Sequence, residues 1–220
     1  MGLTYYLSKM MGEQARCPKS GTFLGWLARI GMGSNVGMAK EMIQISNPKS
    51  ESVIVELGPG NGQVLQILFE ENNPSRVYGV EISDAFRESL EEKFAQEIQS
   101  SNTNNNDASS IGRLSIHEDD AKSLPFIQDS SVDYVYAMNV IYFLEPLSEY
   151  MNEMYRILKP TSGQIMWGID ERAARNNPDV FKTTDWNKCM EAMKDAKFEN
   201  VKKDETYKDN SHIFLKATKG

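Results

Sequence analysis

Val53-Ile54-Val55-Glu56-Leu57-Gly58-Pro59-Gly60-Asn61-Gly62-Gln63 is the stretch that decides how this 220-residue chain is read. Its apolar start is a short buried strand. Three glycines at alternate positions follow it. Val64, Leu65, Ile67 and Leu68 then mark one face of a short helix that halts near Asn72-Asn73-Pro74. Glycine lets the backbone turn tightly and approach a ligand with no Cβ in the way. In an open α/β sheet such a turn lies at the carboxyl edge, at the point where strand order reverses.

Outward from this loop, strand and helix patterns alternate. Val77–Val80, Leu114–Ile116, Val132–Met138 and Gln164–Ile169 read as further strands, with two late ones near Phe198–Lys203 and Ser211–Ala217. Phe86, Leu90, Phe94 and Ile98 recur every four residues behind a Ser83 cap, which predicts a helix. Pro146 suits the first turn of another helix, carrying Leu147, Tyr150, Met151, Met154, Ile157 and Leu158; Trp186, Cys189, Met190 and Met193 mark one after Thr184. The expected fold is α/β: a Rossmann-like, seven-stranded, mostly parallel sheet with helices on both faces. Residues 1–50 read as a helical N-terminal cap over the sheet's edge, with Phe23, Leu27 and Ile30 on one face, and 51–220 as the ligand-binding domain. The polar stretch 100–110 reads as a solvated loop within that domain.

A dinucleotide fold is the first alternative and fails in detail. Its fingerprint wants a third glycine where Gln63 stands; here that glycine comes one residue early. Glu56, two residues before the first glycine, is awkward for a pyrophosphate and favourable for a cation. Glu81, nineteen residues past Gly62, can accept both hydroxyls of a ribose in either fold.

Glu-x-Gly-x-Gly-x-Gly with an acid closing the next strand resembles the class I S-adenosylmethionine-dependent methyltransferases. Three later blocks resemble the ubiquinone-biosynthesis-like, type 11 branch: Asp119-Asp120-Ala121-Lys122-Ser123-Leu124-Pro125-Phe126, Ser131-Val132-Asp133-Tyr134-Val135 and Arg156-Ile157-Leu158-Lys159-Pro160. Together they cover about residues 53–170 in the family's order. Asp119 and Thr161-Ser162-Gly163 depart from the family's glycines. The resemblance implies S-adenosyl-L-methionine as cofactor and a small-molecule methyl acceptor. It implies that Gly58, Gly60 and Gly62 face the methionine end, with Glu56 near the ammonium. Glu81 would take the ribose, Ile82 and Ala121 the adenine ring, Asp120 its amino group, and the backbone of Asn139 the methyl-bearing sulfur.

Methyl transfer from a sulfonium is an in-line displacement, so positioning matters most and a base is needed only if the acceptor holds its proton. Candidate catalytic residues at the carboxyl edge are Tyr142 and Asp170, with Glu171 beside the latter. Tyr5, Tyr6 and Trp26 are candidates to close the pocket. His117 and His212 end and begin strands, and packing explains both. An apolar acceptor such as a lipid or quinone-like ring suits Ile141, Tyr142, Phe143 and Trp167.

Composition narrows the field. With 24 Lys and Arg against 31 Asp and Glu the net charge is −7, which disfavours nucleic acid as a partner. Two cysteines and two histidines predict no metal site, and no apolar run is long enough to span a membrane, so a cytoplasmic protein is expected. The alternatives left open are a non-catalytic partner protein that keeps the fold and, less favoured, an NAD(P) oxidoreductase.

Overall fold

A computed structural model describes residues 3–22, 35–98, 112–172, 177–204 and 212–220. Seven strands form one sheet: β1 (Val53–Leu57), β2 (Arg76–Val80), β3 (Leu114–His117), β4 (Tyr134–Met138), β5 (Gln164–Asp170), β6 (Phe198–Asp204) and β7 (His212–Lys219). Their order across the sheet is β3-β2-β1-β4-β5-β7-β6. The first five are parallel, and β7 runs antiparallel between β5 and β6. β1, first in sequence, is flanked by β2 and β4, so strand order reverses at its carboxyl end.

The described helices are α1 (Leu3–Arg16), α2 (Val36–Ser46), α3 (Gln63–Ile67, continued by a π-helical turn Leu68–Asn72), α4 (Asp84–Lys93), α5 (Ala95–Ile98), α6 (Leu147–Ile157) and α7 (Trp186–Asp195). Successive strand residues point to opposite faces, so each strand serves two cores. Val55, Val135 and Trp167 pack with Met151 and Met154 of α6 and Met193 of α7. Ile54, Tyr136 and Met166 pack with Met38 and Met42 of α2, Leu65 of α3 and Leu90 of α4. Ser83 caps α4 by accepting from the Phe86 amide at 3.3 Å. α7 is capped by Asp185, which accepts from the Asn187 amide at 3.0 Å, so the helix begins after Thr184 as expected.

The described parts of residues 1–50, namely 3–22 and 35–50, take two different positions. α2 lies against the sheet face, and bare Gly168 admits it: a Cβ there would stand 3.2 Å from Met42 Sδ and 3.4 Å from Met38 Sδ. Ser46 Oγ at its end meets the buried Tyr136 hydroxyl at 2.8 Å. Among the described residues of this segment, α1 and the turn after it lie over the carboxyl edge. The expected face Phe23, Leu27 and Ile30, Trp26, and the stretch 100–110 lie outside the described residues.

Two of the blocks noticed in sequence hold strands together. Asp133 Oδ2 accepts from the Val53 amide at 2.8 Å, and Lys159 Nζ donates to the same carboxylate at 2.8 Å. Among the described residues no helix is long and apolar enough to cross a membrane.

Candidate functional site

A cleft opens at the carboxyl ends of β1, β2 and β4, and the glycine loop is its floor. Gly58, Gly60 and Gly62 have φ of 60°, 53° and 70°, a region that a side chain disfavours. Their surroundings differ. A Cβ on Gly58 would stand 2.6 Å from Val140 Cγ2, and one on Gly62 2.5 Å from Phe94 Cε2 and 2.8 Å from Leu90 Cδ2. A Cβ on Gly60 would meet nothing nearer than the Gly58 carbonyl at 4.0 Å. Gly60 alone keeps open space in the cleft. Gly58 makes room for the loop after β4, and Gly62, which does not line the cleft, lets α4 pack against the start of α3.

Two acids lie at the loop. Glu81 is buried, its Oε2 accepting from the Gly60 amide at 3.0 Å and its Oε1 from the Ser83 amide at 2.9 Å. Burial raises its pKa, against the pull of those bonds. Glu56 is 1% exposed, and its Oε2 has no partner among the described residues. Burial first, and then the charge of Glu81, push its carboxyl up to about 8. Glu56 therefore lies beneath the loop, not in the cleft wall, and burial disfavours its charged form.

Ile82 lines the cleft with 42% of its surface exposed, an apolar surface left open beside Glu81. The turn after β3 brings Asp119, Asp120 and Ala121 to the same end. Tyr150 of α6 joins them; burial and then its bond to Asp120 raise the phenol's pKa.

Asn139 follows β4 with φ of 58°, a backbone setting that asparagine tolerates. It lines the cleft, while its Oδ1 faces inward and accepts from the Asp170 amide at 2.8 Å. The Tyr142 hydroxyl stands 3.0 Å from that Oδ1 and 2.7 Å from the Asp170 carbonyl. Its one proton is shared between two carbonyl acceptors, and burial raises its pKa. The Asp170 carboxylate takes the Arg172 guanidinium at 2.8 Å and 3.0 Å, which lowers its pKa. Neither Tyr142 nor Asp170 lines the cleft. Both brace the turn that presents Asn139.

His117 stacks on Phe126 at 3.8 Å and bonds Ser115, and His212 bonds Glu41 at 3.0 Å; both are structural. Cys189 is buried, its thiol pushed up to about 12 by desolvation. Sequence reasoning missed Arg16, Val140, Leu144 and Tyr150 as lining residues. Tyr150 stood in a helical stripe that also fits core packing, and Arg16 carried no local signal. Phe143, read as acceptor-facing, does line the cleft beside Val140 and Leu144.

A family model described as "Methyltransferase domain" matches residues 55–165. No curated protein sequence matches the chain. Among solved structures, a chain of the complex between the Haloferax volcanii Trm112 methyltransferase activator and a partner named as a methyltransferase aligns with a TM-score of 0.67 and 20% identity, over 89% of this chain and 95% of that one. The Haemonchus contortus phosphoethanolamine N-methyltransferase 2, bound to phosphomonomethylethanolamine and S-adenosylhomocysteine, aligns at 0.66 and 14% identity, over 89% of this chain and 56% of that one. A Streptomyces coelicolor geranyl diphosphate C-methyltransferase aligns at 0.60 and 12%, over 84% of this chain and 66% of that one. At such identities these likenesses show the fold.

Proposed function

Since the chain belongs to the type 11 methyltransferase-domain family, we propose that it transfers a methyl group from S-adenosyl-L-methionine to a small, largely apolar acceptor. The observation that carries this reading is the glycine loop: Gly60 faces open space directly over a buried carboxylate, Glu81. The cleft's chemistry fits a cationic nucleoside. Among its described lining residues three acids, Glu81, Asp119 and Asp120, face one cation, Arg16. A negative cleft attracts a sulfonium and repels a pyrophosphate.

Each residue then has a task. The backbone of Gly58 and Gly60 lies along the methionine moiety, and Glu81 accepts from the ribose hydroxyls with the lone pairs that the Gly60 and Ser83 amides leave free. Ile82 covers one face of the purine. Covering its exposed surface with a flat ring contributes on the order of 1 kcal/mol. Asp120 accepts from the exocyclic amine, and Ala121 backs the ring. Asn139 presents its backbone toward the reacting end, held there by Tyr142 and Asp170. The buried Glu56 supports the loop from below, and Gly62 acts through packing. When bound, the cofactor supplies an electrophilic methyl on a neutral thioether leaving group. The chain's contribution is alignment and exclusion of water. Val140, Phe143 and Leu144 give the acceptor side an apolar wall.

Calorimetric titration with S-adenosyl-L-homocysteine tests the site. The unaltered chain binds it; Glu81→Ala and Asp120→Ala each weaken binding by roughly 10- to 100-fold, the worth of a charge-assisted hydrogen bond. Tight NAD binding with no response to S-adenosyl-L-homocysteine would refute the reading. Incubating a metabolite extract with methyl-labelled cofactor, followed by mass spectrometry, finds the acceptor; label recovered only on protein would overturn the small-molecule part.

A further inference from the structure

α1 and the turn after it run along the carboxyl edge of the sheet and are tied to two rims of that edge: the segment after β5, which does not line the cleft, and the turn between β2 and α4, whose Ile82 does. One rim is the segment after β5. Asn177 Nδ2 donates to the Tyr5 carbonyl at 3.2 Å and to Ser8 Oγ at 3.1 Å. The Tyr5 hydroxyl donates to Asp179, and Lys9 Nζ lies 3.7 Å from the same carboxylate. Gly12 fits flush against this rim: a Cβ there would stand 3.0 Å from Phe181 Cε2 and 3.2 Å from Val180 Cβ.

The other rim is the turn between β2 and α4. Ser83 Oγ donates to the Pro18 carbonyl at 2.5 Å. Ser20 donates from its amide to Asp84 Oδ1 at 2.9 Å and from its hydroxyl to Glu88 Oε2 at 2.5 Å. Three inter-strand steps of about 4.8 Å, roughly 14 Å, separate β2 from β5. The 14 residues of α1 reach about 21 Å, enough to cross.

At the end of α1 nearest this second rim is Arg16. It lines the same end of the cleft as Ile82, Asp120 and Tyr150. Its charge lowers the pKa values of Tyr150 and Cys17, opposing their burial. Arg16 itself forms no ion pair among the described residues. A guanidinium is planar and weakly hydrated, and it stacks well on an aromatic face.

We propose that residues 3–22 are a latch over the cofactor cleft, and that Arg16 is a further cofactor-site residue, stacking on the purine face opposite Ile82. This rests on the methyl-donor reading of the cleft. The latch lies outside residues 55–165, so it belongs to this chain's own N-terminal segment and not to the matched domain. At the Ser20 rim Pro18 is buried and three hydrogen bonds hold the turn, whereas at the Gly12 rim the helix itself also packs on Val180 and Phe181. Opening therefore begins at Ser20, and ligand release waits on it.

The test uses the full chain with S-adenosyl-L-homocysteine as probe, reading dissociation rate by stopped flow and amide exchange over residues 3–22. Saturating ligand slows exchange in that segment. Arg16→Ala speeds ligand dissociation about tenfold, and Ser20→Ala speeds it several-fold, while the urea midpoint of Arg16→Ala stays that of the unaltered chain. Gly12→Val, which lifts α1 from Val180 and Phe181, abolishes the ligand-dependent protection. Unchanged dissociation in Arg16→Ala, or exchange over 3–22 indifferent to ligand, overturns the latch alone. Failure of the unaltered chain to bind overturns both the latch and the reading beneath it.

Discussion

Replacing Gly60 and Gly62 one at a time by alanine separates two roles that the sequence motif runs together. Both residues have positive φ, so each substitution costs about 1–2 kcal/mol in backbone strain. At Gly62 the new methyl also collides with Phe94 and Leu90, at 2.5 Å and 2.8 Å, and both neighbours are buried. Overpacking of this kind adds about 1–3 kcal/mol. Gly62→Ala therefore loses about 2–5 kcal/mol, and Gly60→Ala about 1–2. With a urea slope of about 2 kcal/mol/M the midpoints fall by about 1–2.5 M and by less than about 1 M, respectively. Ligand binding runs the other way. The Gly60 methyl projects into the space that the cofactor's methionine end would fill, so affinity for S-adenosyl-L-homocysteine falls at least about tenfold. The folded fraction of Gly62→Ala binds nearly as the unaltered chain does, because that position turns toward α4. Urea unfolding and titration on the same samples decide it. A Gly62→Ala chain of full stability but no affinity, beside a Gly60→Ala chain that binds normally, would refute the reasoning.

Two further outcomes follow from the groups around the loop. Glu56 keeps its proton in the folded state to about pH 8, while the unfolded chain releases it near the ordinary 4.5. The folded form therefore binds more protons in that window, and stability falls as pH rises from about 4.5 to about 8, by at most on the order of 5 kcal/mol. Burial causes most of this shift; the charge of Glu81 adds to it and that of Lys93 opposes it. Glu56→Gln flattens the urea midpoint against pH; a slope that survives the substitution would assign it to other carboxyls. Tyr142→Phe removes the proton shared by Asn139 Oδ1 and the Asp170 carbonyl, costing about 1–2 kcal/mol of stability. Its turnover stays within about tenfold; a larger loss at unchanged KM would restore Tyr142 as a proton-handling residue.

The parallel strands, the glycine loop and the cleft positions of Glu81, Ile82, Asp120 and Asn139 were legible because each signal is local: an apolar run, a glycine spacing, an acid closing a strand. What was hidden depends on distant neighbours. Gly62 looks like Gly60 in sequence, and only α4, packed against it, separates them. α2 carries the apolar stripe of a cap helix. Periodicity identifies an apolar face but not its cover, and here the cover is Met166 and Phe214, far along the chain. Tyr142 sits at the expected edge, yet its hydroxyl turns inward because two carbonyls there need a donor. Arg16 reaches the cleft only through ties to residues more than sixty positions away.

The antiparallel β7 also shapes how the chain must be made. β6 is synthesised before β7 but touches the sheet only through it, and β5 has no other neighbour on that side. While the ribosome has yet to deliver residues 212–219, β5 presents a bare hydrogen-bonding edge and Trp167 lacks Leu215 across the ladder. Such an edge invites pairing with another nascent copy. The seventh strand acts as a closing clasp: its insertion covers the β5 edge and gives β6 its one partner in the sheet.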